Sequence, residues 1–164
     1  MVISLREVVD KMQIGSDELH SYLNKVTGEL ITISNDDISV IESGDDWGGY
    51  PDWQQDILRD AQKVLSSDDY LSLPSQFDIH EYEIMERFCL SLEDERLSDE
   101  LLYRIRGSGA FRRFKEAIYR YGIEQDWFQF KDQAYGEIAI SWLEDHGIAY
   151  INDLNKQRPT YNEP

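Results

Sequence analysis

Glu18–Ile33 reads ELHSYLNKVTGELITI, and this stretch decides the fold class. Leu19, Tyr22 and Leu23 are interleaved with polar residues up to Asn24. The turn Asn24-Lys25-Val26-Thr27-Gly28 follows, then Glu29–Ile33 with β-branched Ile31, Thr32 and Ile33. Alternation of this kind on both sides of a glycine-bearing turn predicts a β-hairpin. Gly28 supplies the positive φ that such a turn often requires. Two strands alone are marginal in water. Tyr70-Leu71-Ser72-Leu73, stopped by Pro74, supplies a third.

Outward from the hairpin the pattern is helical. Ser4 and Glu7 form a capping box ahead of Leu5, Val8, Val9 and Met12, which recur on one helix face, and Gly15 ends it. Asp36–Glu42 fits either a short helix or an extended piece. Ser43–Gly49 is a loop containing Trp47, whose ring either folds back onto the core or anchors a partner. Past Pro51, an apolar stripe of Trp53, Ile57, Ala61, Val64 and Leu65 predicts a helix.

Asp78 and Glu81 form a second capping box, for a helix through Tyr82, Met85, Phe88, Cys89 and Leu92. Ser98 is expected to cap a short helix that Gly107 ends. Ser108 is expected to cap the next, ended by Gly122. A last helix, or a short one followed by a long one, spans about Glu124–Asp145, with Trp127, Phe130, Ala134, Ile138 and Trp142 at spacings of three or four, and Ile148–Ile151 adds an extended piece. The fold class is helix-rich α+β: a small N-terminal antiparallel sheet of about three strands packed against a C-terminal helical half. One globular domain is expected over 1–154, with a loose polar tail over 155–164.

Composition narrows the function classes. The chain has 164 residues and a net charge of -17, with 41% hydrophobic residues. That is enough to bury a core without staples. The start, MVISLREVVDKM, lacks the basic region and apolar core of a signal peptide, and no run approaches a membrane span. Cys89 is the lone cysteine, so no internal disulfide is possible. These features point to a reducing cytoplasm. The acidic balance repels nucleic acid and anionic membrane.

The charge is uneven. Arg104–Arg120 holds six bases (Arg104, Arg106, Arg112, Arg113, Lys115, Arg120) against Glu116 alone, a net of +5 in a remainder of -22. This run lies in GSGAFRRFKEAIYRYG, Gly107–Gly122. At 100° per residue, Ala110, Phe111, Phe114, Ala117, Ile118 and Tyr121 share an arc of about 120°, a core face. Arg112, Arg113, Glu116 and Arg120 lie opposite, flanked by Lys115 and Tyr119.

Two readings of that face compete. Arg112-Glu116-Arg120 is a solvated i, i+4, i+8 ladder, with the arginines meeting acids of the same chain. Alternatively, Gly107-Ser108-Gly109 opens a helix N-terminus to an anion, with Arg112 and Arg113 just behind. Cations at that end oppose the helix dipole, so something negative belongs near them.

Other chemistry is thin. His80-Glu81 begins H-E-x-x-H, but Ile84 stands where the second histidine belongs. His20 and His146 have no ligand-spaced partner, and Cys89 falls on a buried helix side where thiols are usually inert. No G-x-S-x-G occurs, and Gly107–Gly109 is too short for a Walker loop. Glu81, Glu83 and Glu86 are the acidic candidates if an activity were found.

The hairpin turn Lys25–Glu29, LPSQFDIHEYEIMERF (Leu73–Phe88), GSGAFRRFK (Gly107–Lys115), Trp127-Phe128, Phe130 and Trp142-Leu143 together resemble the bacterial uncharacterised protein family 0158. The resemblance spans roughly Glu18–Gly147. It implies no activity, cofactor, partner or catalytic residue, and the chain departs from the family pattern at Ser108.

The sequence therefore points first to a cytoplasmic, non-enzymatic interaction or regulatory module. It would bind another protein or an anionic ligand around Arg112, Arg113 and Arg120. The alternative is a phosphate- or nucleic-acid-binding domain at the Gly107–Gly109 helix start, with nucleic acid disfavoured by net charge. Third comes an enzyme of unrecognised class. No cofactor, metal, catalytic set or membrane contact is expected, and oligomeric state carries no sequence signal.

Overall fold

The computed structural model describes residues 1–76 and 78–155. Elements run in the order β1 (Ile3–Ser4), α1 (Leu5–Ile14), β2 (Leu19–Asn24), β3 (Leu30–Ser34), α2 (Asn35–Ser43), α3 (Asp52–Ser66) and β4 (Tyr70–Ser72). They continue with α4 (Glu81–Ser91), α5 (Glu95–Arg104), α6 (Ala110–Arg120), α7 (Glu124–Asp145) and β5 (Tyr150–Ile151). The fold is helix-rich α+β with a small three-stranded antiparallel sheet. Two compact units are present. One comprises Met1–Ile79 and the chain from Tyr135 onward, the other His80–Ala134. The tail expected over 155–164 lies, beyond Asn155, outside the described residues.

In the first unit the hairpin forms as its sequence dictates. The sheet order is β3-β2-β4, with Tyr22 opposite Ile31 on one side and Ser72 on the other. Asn24 organises the turn. Its Oδ1 accepts from the N–H groups of Val26 (2.8 Å) and Thr27 (2.9 Å), and its carbonyl accepts from Gly28 N (2.8 Å). These contacts satisfy a buried amide that would otherwise be costly. Gly28 has φ +79°, and a Cβ there would stand 2.9 Å from Ile3 Cδ1, so both conformation and space demand glycine.

The ambiguous stretch after β3 is a helix. Ser34 ends the strand and caps α2, its hydroxyl accepting from Asp37 N (3.1 Å), and Gly44 closes it at φ +70°. Ile31 and Ile33 pack with Ala61 and Val64 of α3, beside Ile38 and Ile41 of α2, Tyr22 and Tyr70. The α3 stripe is only half inside. Leu58, Ala61 and Val64 are buried, whereas Trp53, Ile57 and Leu65 are exposed. At 100° per residue Val64, Ala61 and Leu58 lie about 20°, 80° and 140° round from Trp53, so the contact is centred near Ala61 and covers the middle turns of the helix. Trp53 and Ile57 at its start and Leu65 at its end lie beyond that contact.

The two chain ends of this unit are tied together. β1 pairs in parallel with β5, Ile3 opposite Tyr150, and Ile3 N donates to Ala149 O (3.0 Å). Asp153 then reaches the start of α1. Its Oδ1 accepts from Arg6 N (2.8 Å) and its Oδ2 from the Ser4 hydroxyl (2.6 Å). Ser4 Oγ in turn accepts from Glu7 N (3.2 Å). Two orphan N–H groups of the first turn are satisfied, and a carboxylate sits at the positive end of the helix dipole. Leu5, Val8, Val9 and Met12 are buried, as their spacing predicts.

The second unit has its own aromatic centre. Phe88 meets Phe114 (6.1 Å), Trp127 (5.3 Å) and Phe130 (5.5 Å) edge-on, and Phe114 meets Trp127 at 4.8 Å. Such edge contacts match the positive rim of one ring to the negative face of the next. Two expected caps are displaced. Asp78 accepts from Ser75 N (2.9 Å) and Ser75 Oγ (3.1 Å), and α4 begins later, with His80 at its N-cap and Glu81 paired to Lys131 (3.3 Å). α5 is capped by Asp94, which accepts from Arg96 N and Leu97 N. Ser98, expected as that cap, is a buried residue inside α5 whose hydroxyl donates to Cys89 O (2.6 Å).

Asp153→Ala should lower unfolding free energy by about 1–2 kcal/mol, the usual cost of a lost N-terminal cap. Asp153→Asn, which keeps one acceptor, should recover part of it. Urea unfolding of the three proteins checks this.

Candidate functional site

The site is the corner between α5 and α6 and the outward face of α6. α5 ends at Arg104, and the chain reverses through Gly107 (φ +76°) and Gly109 (φ +78°). Gly109 is the N-cap of α6, and no side chain caps it. Ser108, expected as the cap, stands one residue too early. Gly109 is also a close approach: a Cβ there would lie 3.2 Å from Arg113 Nη1.

Arg113 holds this corner. Its Nε donates to Arg104 O (2.7 Å), Nη1 to Ser108 O (2.7 Å) and Nη2 to Arg106 O. The negative group that a cation in the first turn of α6 requires is therefore backbone. It is the carbonyl end of α5 and the turn behind it, where a guanidinium is favoured by the dipole of the preceding helix. Neither a carboxylate nor a ligand is needed to place Arg113.

Arg112 and Arg120 behave differently. Arg112 Nε lies 4.0 Å from Glu116 Oε1 with 83% of its side chain exposed, so that ladder rung is weak. Arg120 is exposed in the last turn. Of the six residues singled out in the sequence, Gly107, Ser108, Gly109 and Arg113 form the corner, while Arg112 and Arg120 lie on the open face.

The core face of α6 is narrower than its wheel predicts. Ala110, Phe114, Ala117 and Ile118 are buried, but Phe111 is 45% exposed and Tyr121 is only half-buried. Phe111 lies at the edge of the arc, and the aromatic cluster around Phe114 fills the contact without it. Tyr121 instead turns its hydroxyl to Glu100. That hydrogen bond, with Arg104 Nη2 at 3.0 Å from Glu100 Oε1, holds the Glu100 carboxyl below its ordinary range.

The open face is thus both basic and aromatic. Phe111, Lys115 and Tyr119 form an i, i+4, i+8 ridge beside Arg112, and Tyr119 is 63% exposed. On α5, Tyr103 is also exposed, with the Arg106 guanidinium 5.8 Å from its ring centre. Sequence reasoning missed Phe111 and Tyr103 as surface. The signal available was the four-residue spacing Phe111-Lys115-Tyr119, which puts a lysine between two rings.

Cys89 is buried, and burial pushes its thiol up to about 11. Two clefts lie in the other unit, of about 320 and 610 Å³, sharing Ser72–Ser75 in their walls; none of the six candidate site residues lines them. Among the described residues, no helix is long and apolar enough to cross a membrane.

Residues 1–161 match the uncharacterised protein family UPF0158, and the chain belongs to that family. Neither a curated protein nor a solved structure matches it.

Removing Arg113 strips three charge-assisted bonds from carbonyls. Arg113→Ala should cost about 1.5–3 kcal/mol, and Arg113→Lys should restore little, because an ammonium lacks the planar fork. Arg112→Ala should stay within about 0.5 kcal/mol of wild type, as for other exposed positions. Thermal and urea unfolding separate the three.

The neutral Cys89 thiol favours the folded state below its ordinary ionisation range, and that contribution is lost as pH rises through about 11. At pH 8, iodoacetamide should leave the folded chain unlabelled and modify it in urea, read by mass spectrometry.

Proposed function

We propose that this chain is a cytoplasmic interaction module whose α6 presents a cationic, aromatic face to an acidic segment of another protein. The observation that carries this reading is the exposure of Phe111 and Tyr119 beside Arg112 and Lys115, with exposed Arg120 further round the helix, in a chain whose net charge is -17. Aromatic rings and arginines are the residues most often found to anchor protein interfaces. Here they share one helix face with local positive charge, and a carboxylate-bearing partner suits both features.

The phosphate alternative draws on the Gly107–Gly109 helix start. Arg113 is the cation nearest to it, and its fork is occupied by three carbonyls. What remains is backbone N–H groups without a guanidinium, a weaker case than the open face. Nucleic acid is further opposed by the net charge at long range.

The test is co-purification from the cell of origin, comparing wild type with Arg112→Ala/Arg120→Ala. The double variant should keep its melting temperature and lose its acidic partner at least tenfold. Equal recovery by both proteins would sink the reading. In parallel, binding of short RNA and DNA at physiological salt, falling steeply with added salt, would move the function to nucleic acid.

A further inference from the structure

The α6 face has a counterpart of opposite charge on α3. Trp53 is 65% exposed and Ile57, one turn on, is 39% exposed. At 100° per residue Asp60 and Asp56 lie within about 60° of Trp53, so carboxylates share its side of the helix over the next two turns. The surrounding sequence is strongly acidic. Residues 36–60 carry eight acids (Asp36, Asp37, Glu42, Asp45, Asp46, Asp52, Asp56, Asp60) against Arg59 alone. Arg59 is engaged by Asp56, and the next lysine on α3, Lys63, reaches Glu29 at 3.5 Å. Exposed cations on α3 are therefore already taken by carboxylates of the same chain.

We propose that the α3 face around Trp53 and Ile57 is covered by α6 of a second copy of this chain. This deepens the reading of α6 as a binding face by naming one acidic occupant that the chain itself supplies. Three features favour a second copy. The charges are opposite: residues 36–60 sum to -7, and residues 104–120 to +5. The apolar parts correspond: Trp53 and Ile57 form one i, i+4 ridge, and Phe111, Lys115 and Tyr119 another, the arrangement by which two helices interdigitate. The lengths also agree. Trp53 to Asp60 rises about 10 Å and Phe111 to Tyr119 about 12 Å, at 1.5 Å per residue.

Long-range repulsion between two chains of charge -17 does not forbid this. At physiological salt, charges more than about 8 Å apart are largely screened, whereas carboxylates and guanidinia in contact are not. The contact is heterologous, because different patches meet, so the joined pair still has one α3 face and one α6 face available to a neighbour.

Sedimentation velocity over a concentration series, at physiological salt, tests the proposal with three proteins. Wild type should associate. Trp53→Ala, which removes the apolar anchor but leaves α6 intact, should weaken association at least tenfold. Arg112→Glu/Lys115→Glu, which reverses α6 but leaves α3 intact, should do the same. An equimolar mixture of the two variants should then regain a dimer, because each retains the face that the other lacks. Circular dichroism confirms that both variants are folded, and Ile57→Ala serves as a second α3 probe if Trp53→Ala is not. A wild-type chain that stays monomeric at the highest attainable concentration overturns the proposal. So does association unaffected by either variant, or a mixture that remains monomeric. Loss of another protein from the Arg112→Ala/Arg120→Ala bait would still stand in those cases, so failure of self-association is separable from failure of the α6 reading.

Discussion

The carboxylate of Asp153 sits at the N-terminus of a helix that begins almost at the other end of the chain. With the short parallel pairing of β1 and β5, it closes the first unit on itself. That closure is demanding. Bringing residues 3 and 150 together has the entropy cost of a long loop, although the cost grows only slowly with length. Two main-chain rungs alone would offset little of it. The cap adds a charge-assisted contact at the place where the α1 dipole favours it, and the buried face of α1 adds hydrophobic contact. The intervening residues 80–134 are left to build a separate centre, and they do so with aromatic rings.

Arg113 solves a comparable problem in the second unit. A cation early in a helix is electrostatically misplaced with respect to that helix. It is well placed with respect to the helix before, if the turn between them is tight enough. Gly107 and Gly109, both left-handed, make that turn, and Gly109 leaves room for the guanidinium. Function and scaffold are thereby divided between adjacent residues. Arg113 faces backbone carbonyls, and Arg112 faces solvent. The outward face of α6 keeps its charge because its neighbour, and not Arg112 itself, holds the corner.

Much of the fold is legible in local patterns. The hairpin, its glycine, the third strand, the first helix and the long last helix follow from alternation, spacing and turn chemistry, all of which act over a few residues. The caps show where such reasoning stops. Ser98 and Ser108 each precede a helical pattern and would satisfy an N-cap equally well in isolation. Asp94, four residues before Ser98, starts α5 earlier, which moves Ser98 inside the helix and turns its hydroxyl to Cys89 O. Gly109 starts α6 one residue late for Ser108. The α3 stripe fails for a related reason: a wheel ranks residues by angle, but the neighbours decide how far along the helix the contact extends. Leu58, Ala61 and Val64 fall within it, and Trp53, Ile57 and Leu65 towards the two ends of the helix do not.

The candidate site divides along the same line. The sequence alone determined that positive charge concentrates between Arg104 and Arg120, that glycines bound the α6 region, and that Arg112 and Arg120 turn away from its buried stripe. Composition and helical periodicity are properties of the chain itself, so these follow without any knowledge of neighbours. Only the tertiary structure decided that Arg113 belongs to the scaffold, that Phe111 stays at the surface, and that Trp53 lies exposed. Those outcomes depend on which carbonyls, rings and helices come within contact distance. That is fixed by the closure of the whole chain and not by any one stretch of it.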